Sequence, residues 1–267
     1  MAMAAAVPAI DLPGSRQEPR PVDLEVSQLC LSWNGTGSVI DRLSFIVCQG
    51  EAVALIGPNG SGKTTLMRLL LGLVRPKSGS VRLFGEELGT LDGARLRRLR
   101  AQVGLISQRH NLVPRLCVLT NVIHGALCRS ANPALWRQGT APRAVREEAL
   151  ACLDRVGLAG LAGRRADGLS GGESQRVAIA RALMQRPRMI LADEPVASLD
   201  PQIAEEVMAL FAGLMKREAI TLLYSSHSLD DALRYSDRVL GLNRGAIRLD
   251  APSRALGRPE LRALYDE

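Results

Sequence analysis

Lysine is nearly missing from this chain: Lys63, Lys77 and Lys216 are the only three among 34 basic residues in a length of 267. Aromatic side chains are scarce too, at 3%, so the stacking platforms that hold single-stranded nucleic acid are absent despite a net charge of +7. The arginines are scattered through helical segments instead of forming a block, which argues further against a nucleic-acid partner. No apolar run approaches the roughly 18 residues that a membrane span needs. Cys30, Cys48, Cys117, Cys128 and Cys152 contain no C-x-x-C pair and are odd in number, a usage that fits small thiols in a reducing compartment. The first 22 residues are rich in Ala and Pro and lack a basic segment followed by a long apolar one. They are expected to form a disordered tail, not a signal peptide, and the chain is expected to be cytosolic. Its length suits one α/β domain, or one domain with an inserted lobe.

The rare lysine has been kept at a telling place. Residues 57–65 read GPNGSGKTT, directly after the apolar run 52–56. Gly57, four residues, Gly62, Lys63 and Thr64 have the spacing of a phosphate-binding loop. Glycines let successive backbone N–H groups turn toward one anion, Lys63 reaches the outer phosphates, and the Thr64 hydroxyl can ligate Mg²⁺. A helix opening near Lys63 adds the positive end of its dipole beneath them.

Apolar strand-like runs alternate with helical ones. Strands are predicted over 24–33, 43–48, 52–56, 80–84, 102–107, 188–192, 219–225, 238–242 and 246–250, the first two as an antiparallel pair. Helices are predicted over 63–73, 91–100, 174–185 and 201–217, with a helical tail after residue 250. The stretch 109–168 reads as an inserted helical lobe with an irregular segment at 130–143. Near-continuous apolar strands separated by helices imply a mostly parallel sheet covered on both faces.

Four of those strands end in residues suited to nucleotide chemistry. The run 52–56 leads into the phosphate loop, 103–107 into Gln108, 189–192 into Asp193 and Glu194, and 221–226 into His227. In a parallel sheet all the carboxyl ends share one edge, which is where open α/β sheets bind ligands. Asp193 can hold Mg²⁺ beside Thr64. Glu194 can orient or deprotonate a water. Gln108 can ligate the metal or contact that water, and His227 can hydrogen-bond a terminal phosphate. Singly, Gln108 is also compatible with a turn residue and His227 with a satisfied strand-end histidine; the joint placement gives them weight.

Residues 169–176, LSGGESQR, open a helix with Ser170 as N-cap and Gly171 and Gly172 exposing N–H groups. This is a second anion site in a chain whose first is already complete. Phosphate loop, Gln108, LSGGE, ILADEP, Ser198-Leu199-Asp200 and His227, in this order, resemble the ATP-binding cassette ATPases over about residues 22–250. The resemblance implies a P-loop NTPase fold of the ABC ATPase type: a mostly parallel sheet core, an antiparallel N-terminal β subdomain and an inserted helical subdomain. It implies an ATPase domain at 23–250 with the helical part at about 109–175, and tails at 1–22 and 251–267. ATP and Mg²⁺ are the implied cofactors. The implied nucleotide contacts are Gly57, Pro58, Asn59, Gly60, Ser61, Gly62, Lys63, Thr64 and Thr65. A second copy, in a head-to-tail homodimer, would supply Ser170, Gly171, Gly172, Glu173 and the axis-crossing loop that ends at Asp200. Thr64, Gln108 and Asp193 would serve the metal; Glu194, His227 and Gln108 the chemistry. Trp33 would stack on adenine, where the family usually has tyrosine.

Within the family, NLVPRLCVLTNV (111–122), ALWR (134–137), EEALACLDRVGLA (147–159) and DEPVASLDP (193–201) resemble the ATPase subunits of phosphonate importers. By that resemblance the chain serves integral membrane permease subunits, and indirectly a solute-binding protein, from the cytoplasmic face of the cell membrane. ATPases for another solute, or one attached to a soluble phosphonate-degrading complex, are the alternatives. Two departures stand out: Glu173-Ser174 where the family usually has two glutamines, and Leu105-Ile106-Ser107 where an aromatic often precedes the glutamine. Neither removes a catalytic group.

Overall fold

A computed structural model describes residues 20–32, 38–130 and 132–266. Two sheets are present among them. Val22–Ser32 (β1), Ser38–Cys48 (β2), Ser78–Leu83 (β4) and the short Glu86–Glu87 (β5) form an antiparallel sheet in the order β2-β1-β4-β5. Ala52–Ile56 (β3), Val103–Ser107 (β6), Met189–Asp193 (β7), Thr221–Ser225 (β8), Arg238–Asn243 (β9) and Ala246–Pro252 (β10) form the other, in the order β10-β9-β3-β8-β7-β6. Only β10 runs antiparallel to its neighbour. The mixed architecture expected from the sequence is therefore observed.

Alternation along the strands decides which core each residue enters. Ala54 and Ile56 face one core with Ile190, Ala192, Leu222 and Tyr224, packed against helices Val118–Ile123 (α3), Arg143–Arg155 (α4), Gly171–Met184 (α5) and Pro201–Arg217 (α6). Val53 and Leu55 face the other, with Leu191 and Leu223, where the antiparallel sheet closes over helix Lys63–Leu70 (α1). Both faces of each central strand are thus removed from water, which is why these strands read as unbroken apolar runs. Helix Gly93–Arg100 (α2) is capped by the Asp92 carboxylate, which accepts from the N–H groups of Ala94 and Arg95.

Element ends differ from the sequence reading in ways local chemistry explains. Helix α5 begins at Gly171, where the expected Ser170 N-cap puts it and three residues before the run predicted at 174–185, because Ser170 and Glu173 complete a capping box. Helix Leu229–Tyr235 (α7) was not anticipated; its seven residues carry little periodic signal, but the Ser228 side chain caps it by accepting from the Asp231 N–H. The irregular segment at 130–143 contains a single 3₁₀ turn, Pro133–Trp136. A last helix, Arg258–Asp266 (α8), lies against β9.

The two sheets are tied together at the amino ends of the parallel strands. Asp23, 1% exposed, receives the Thr221 hydroxyl at 2.5 Å and an Arg188 N–H at 3.1 Å. The same Thr221 oxygen accepts from the Gly50 N–H at 2.9 Å, and the Arg188 guanidinium lies 4.1 Å from the centre of the Phe84 ring. A buried carboxylate needs every one of these donors. Thr221→Val is expected to lower stability by about 1–3 kcal/mol and Tm by several degrees in calorimetry. An unchanged Tm would show that the tie is not limiting.

Candidate active site

The opposite edge, at the carboxyl ends, is where the polar side chains collect. Register aligns Ser107 with Asp193, Asp193 with Ser225, and Ser225 with Leu55. One step further along each strand stand Gln108, Glu194 and Ser226, with the phosphate loop entered from Ile56.

Within the loop, Gly62 sits at φ 107°, a left-handed position that glycine adopts without strain, and serves as N-cap of α1 without a side chain. Lys63 is 6% exposed and its Nζ donates to the carbonyls of Gly57 at 2.7 Å and Pro58 at 3.1 Å. Burial lowers the pKa of this ammonium, while the carboxylates of Glu194 and Asp193 act to raise it. Ser61 Oγ is buried with no hydrogen-bond partner, so the loop keeps one polar atom that only a ligand or water can satisfy. Asn59, Gly60 and Thr64 are exposed at the mouth of the loop, whereas Pro58 and Thr65 are half-buried.

Asp193 and Glu194 are held by a residue that sequence reasoning missed. The Ser225 hydroxyl donates to Asp193 Oδ1 at 2.7 Å and accepts from the Glu194 N–H at 2.9 Å, so one fully buried side chain orients both acids. Glu194 adopts φ 51°, a left-handed conformation uncommon for a residue with a side chain and typical of functional positions. Its Oε1 lies 2.6 Å from His227 Nε2. Both residues also line a cleft of about 630 Å³ bounded by Val196, Met208 and Tyr224. The signal that could have found Ser225 was its position as a small hydroxyl residue ending an apolar strand just before His227.

Gln108 is exposed just past β6. The chain beyond it is pinned by Arg181 of α5, whose guanidinium donates to the carbonyls of Asn111 at 2.6 Å and His110 at 2.8 Å. Nothing in the sequence singles out Arg181, which joins the Gln108 loop to the helix that Ser170 caps. Burial and the charge of Arg181 hold the His110 imidazole below its usual range.

Ser170, Gly171, Gly172, Glu173 and Asp200 form a separate group. The Glu173 carboxylate accepts from the Ser170 N–H at 2.7 Å, giving this departure from the usual glutamine a structural use. A Cβ on Gly171 would lie 3.0 Å from Leu199 and one on Gly172 2.6 Å from Ile203. The glycines therefore admit the 198–200 loop and α6, besides baring N–H groups. No phosphate-loop atom lies within 4 Å of the Cβ position of either glycine. Trp33 lies outside the described residues.

Comparison with known proteins agrees with this geometry. Residues 40–197 match the ABC transporter family. The chain is 46% identical over 233 residues to a phosphonates import ATP-binding protein of Nocardia farcinica, covering 86% of each chain. It is 47% identical over 233 residues to a phosphate-import ATP-binding protein of Mycolicibacterium smegmatis, covering 86% of this chain and 88% of that one. Among solved structures, a dimeric ATP-binding cassette in a post-hydrolysis state with ADP and Pi superposes with a TM-score of 0.75 at 28% identity, covering 87% of this chain and all of that one.

Ser225→Ala is expected to reduce kcat for ATP hydrolysis about tenfold to a hundredfold, since it frees both acids at once. Steady-state phosphate release measures this; a rate within twofold of the parent would remove Ser225 from its positioning role.

Proposed function

The chain belongs to the ABC transporter family of ATP-binding cassettes, and on that premise we propose how its residues bind and split ATP and what the energy drives. It is an ATPase. The reading rests chiefly on one observation: a buried lysine, two adjacent acids and a histidine on one sheet edge, held there by parallel register.

Lys63 and the backbone N–H groups of 59–65 take the phosphates, with the Ser61 hydroxyl donating as well. Mg²⁺ suits the oxygen donors of Thr64, Gln108 and Asp193, and when bound it neutralises phosphate charge. Glu194 orients a water against the terminal phosphorus and accepts its proton as the new P–O bond forms and the bond to the ADP oxygen breaks. The water reaches it from the adjoining cleft. His227 holds the Glu194 carboxylate in place and in this reading hydrogen-bonds the terminal phosphate. The apolar walls behind Asp193 strengthen each of these interactions.

The second anion site calls for a second molecule. Gly171 packs on Leu199 and Gly172 on Ile203, and no phosphate-loop atom lies within 4 Å of the Cβ position of either. In a head-to-tail dimer each chain places this cap over ATP held by the other, and Asp200 lies at the crossing. ATP favours the closed dimer by its differential affinity, and hydrolysis removes that preference. We take 23–250 as the ATPase domain, with the helical part at about 109–175 docking the permease subunits. Motion passes to it through Gln108 and Arg181. By its kinship with importer ATPases the chain works as a peripheral subunit at the cytoplasmic face; no helix among the described residues is long and apolar enough to cross a membrane.

The transported solute is a phosphonate or a related phosphorus oxyanion. The names of the relatives divide between phosphonate and phosphate import, and the tetrahedral oxyanion is common to both. A strain deleted for this chain is expected to lose growth on a phosphonate as the only phosphorus source, with growth on phosphate measured in parallel. Loss on phosphate alone would assign the other solute; recovery of only soluble enzymes in pull-downs from solubilised membranes would overturn transport.

Glu194→Gln is expected to retain ATP binding and to slow hydrolysis by about two orders of magnitude. Lys63→Ala is expected to abolish binding at millimolar ATP. Hydrolysis near the parent rate in the first, or unchanged affinity in the second, would contradict these roles.

A further inference from the structure

Helix α8 lies outside every motif discussed so far, yet it touches the first residue of the phosphate loop. The Gly57 N–H donates to the Tyr265 hydroxyl at 3.2 Å. Three features of β9, the strand beside β3, put that hydroxyl there. Leu261 and Leu264 are buried in the core shared with β9. Gly241, paired with Ile56, leaves room for Leu264, because a Cβ there would lie 2.9 Å from the leucine methyl. Asn243 donates its side-chain N–H to the Leu264 carbonyl at 3.1 Å and so fixes the turn that carries Tyr265. At its other end, α8 is held by the Arg258–Asp230 ion pair, three residues past His227. The helix therefore spans the back of the site from one strand end to another.

Gly57 has reason to need such a support. It must be glycine, since a Cβ would fall 2.0 Å from the Leu242 carbonyl oxygen, and its φ is 151°. The absence of a side chain that permits this conformation also leaves the residue free to leave it. Both of its peptide groups are instead tethered from outside: the N–H to Tyr265 and the C=O to Lys63 Nζ at 2.7 Å. A tether on one side fixes the plane that presents the other.

We propose that Tyr265 is a positioning residue for nucleotide binding, which through the Gly57 peptide preorganises the phosphate loop and Lys63. The proposal rests on the reading of 57–65 as the ATP phosphate seat. Preorganisation acts on affinity more than on the chemical step, because the ordering cost falls on binding. Tyr265→Phe keeps the ring and removes the acceptor. The full-length variant is expected to raise KM for ATP, and Kd for a fluorescent ATP analogue, about threefold to tenfold, the worth of one hydrogen bond. Its kcat should stay within twofold and its Tm should be unchanged. Amide exchange at Gly57 in the ligand-free protein is expected to be faster than in the parent. Asn243→Ala, which loosens the turn without touching the tyrosine, should shift KM in the same direction.

Unchanged KM and unchanged Gly57 exchange in Tyr265→Phe would overturn the proposal. So would a fall in kcat at constant KM, which would assign the tyrosine to the chemical step. A parent protein that fails to bind the analogue would instead overturn the phosphate-seat reading, so the two failures are distinct.

Discussion

Because β6, β7 and β8 run in one direction and in register, Ser107, Asp193 and Ser225 form a row across the sheet that Leu55 of β3 continues. Register has no tolerance here. A slip of one residue would send each apolar side chain to the wrong core and turn Asp193 toward a helix-covered face. Burial of both sheet faces therefore fixes the register, and the register fixes the active residues to one edge. Hydrophobic patterning far from the nucleotide thereby sets the geometry of the chemistry.

The two edges of the sheet are treated in opposite ways. At the amino edge the buried Asp23 carboxylate is saturated by Thr221 and Arg188 and the sheets are joined. At the carboxyl edge the polar groups are only partly satisfied: Lys63 rests on two backbone carbonyls and Ser61 Oγ has no partner. Unfilled hydrogen-bonding capacity beside a buried cation is what a polyanion can use. Rigidity comes from around the site. Ser225 orients the acids, Arg181 holds the Gln108 loop, and α8 backs the phosphate loop.

The sequence disclosed what is written locally. The glycine spacing around Lys63, the Ser170 cap and the acids closing an apolar strand each occupy a short window, and their chemistry is stated by residue type. The alternation of apolar strands and helices was equally readable, and with it the fold class. What stayed hidden depends on contacts between distant segments. Ser225 looks like an ordinary strand-end serine until β8 is set beside β7. Arg181 is not singled out until the carbonyls of His110 and Asn111 arrive. Helix α7 was too short for a periodic signal, and Tyr265 sits more than 200 positions from Gly57 in a segment without a motif. Gly171 and Gly172 read as residues that bare N–H groups, and packing against Leu199 and Ile203 adds a second duty. Trp33, expected to stack on adenine, falls outside the described residues.

The central claim is that strand ends of one chain and the serine cap of another converge on a single triphosphate. The most direct measurement is an experimental structure of the full chain with Mg²⁺ and a non-hydrolysable ATP analogue. The account expects two copies and two nucleotides. The terminal phosphate of each should lie within hydrogen-bonding reach of Lys63 and His227 of one chain and of Ser170 of the other. A triphosphate seated away from Lys63, or covered by Ser170 of the same chain, would contradict it.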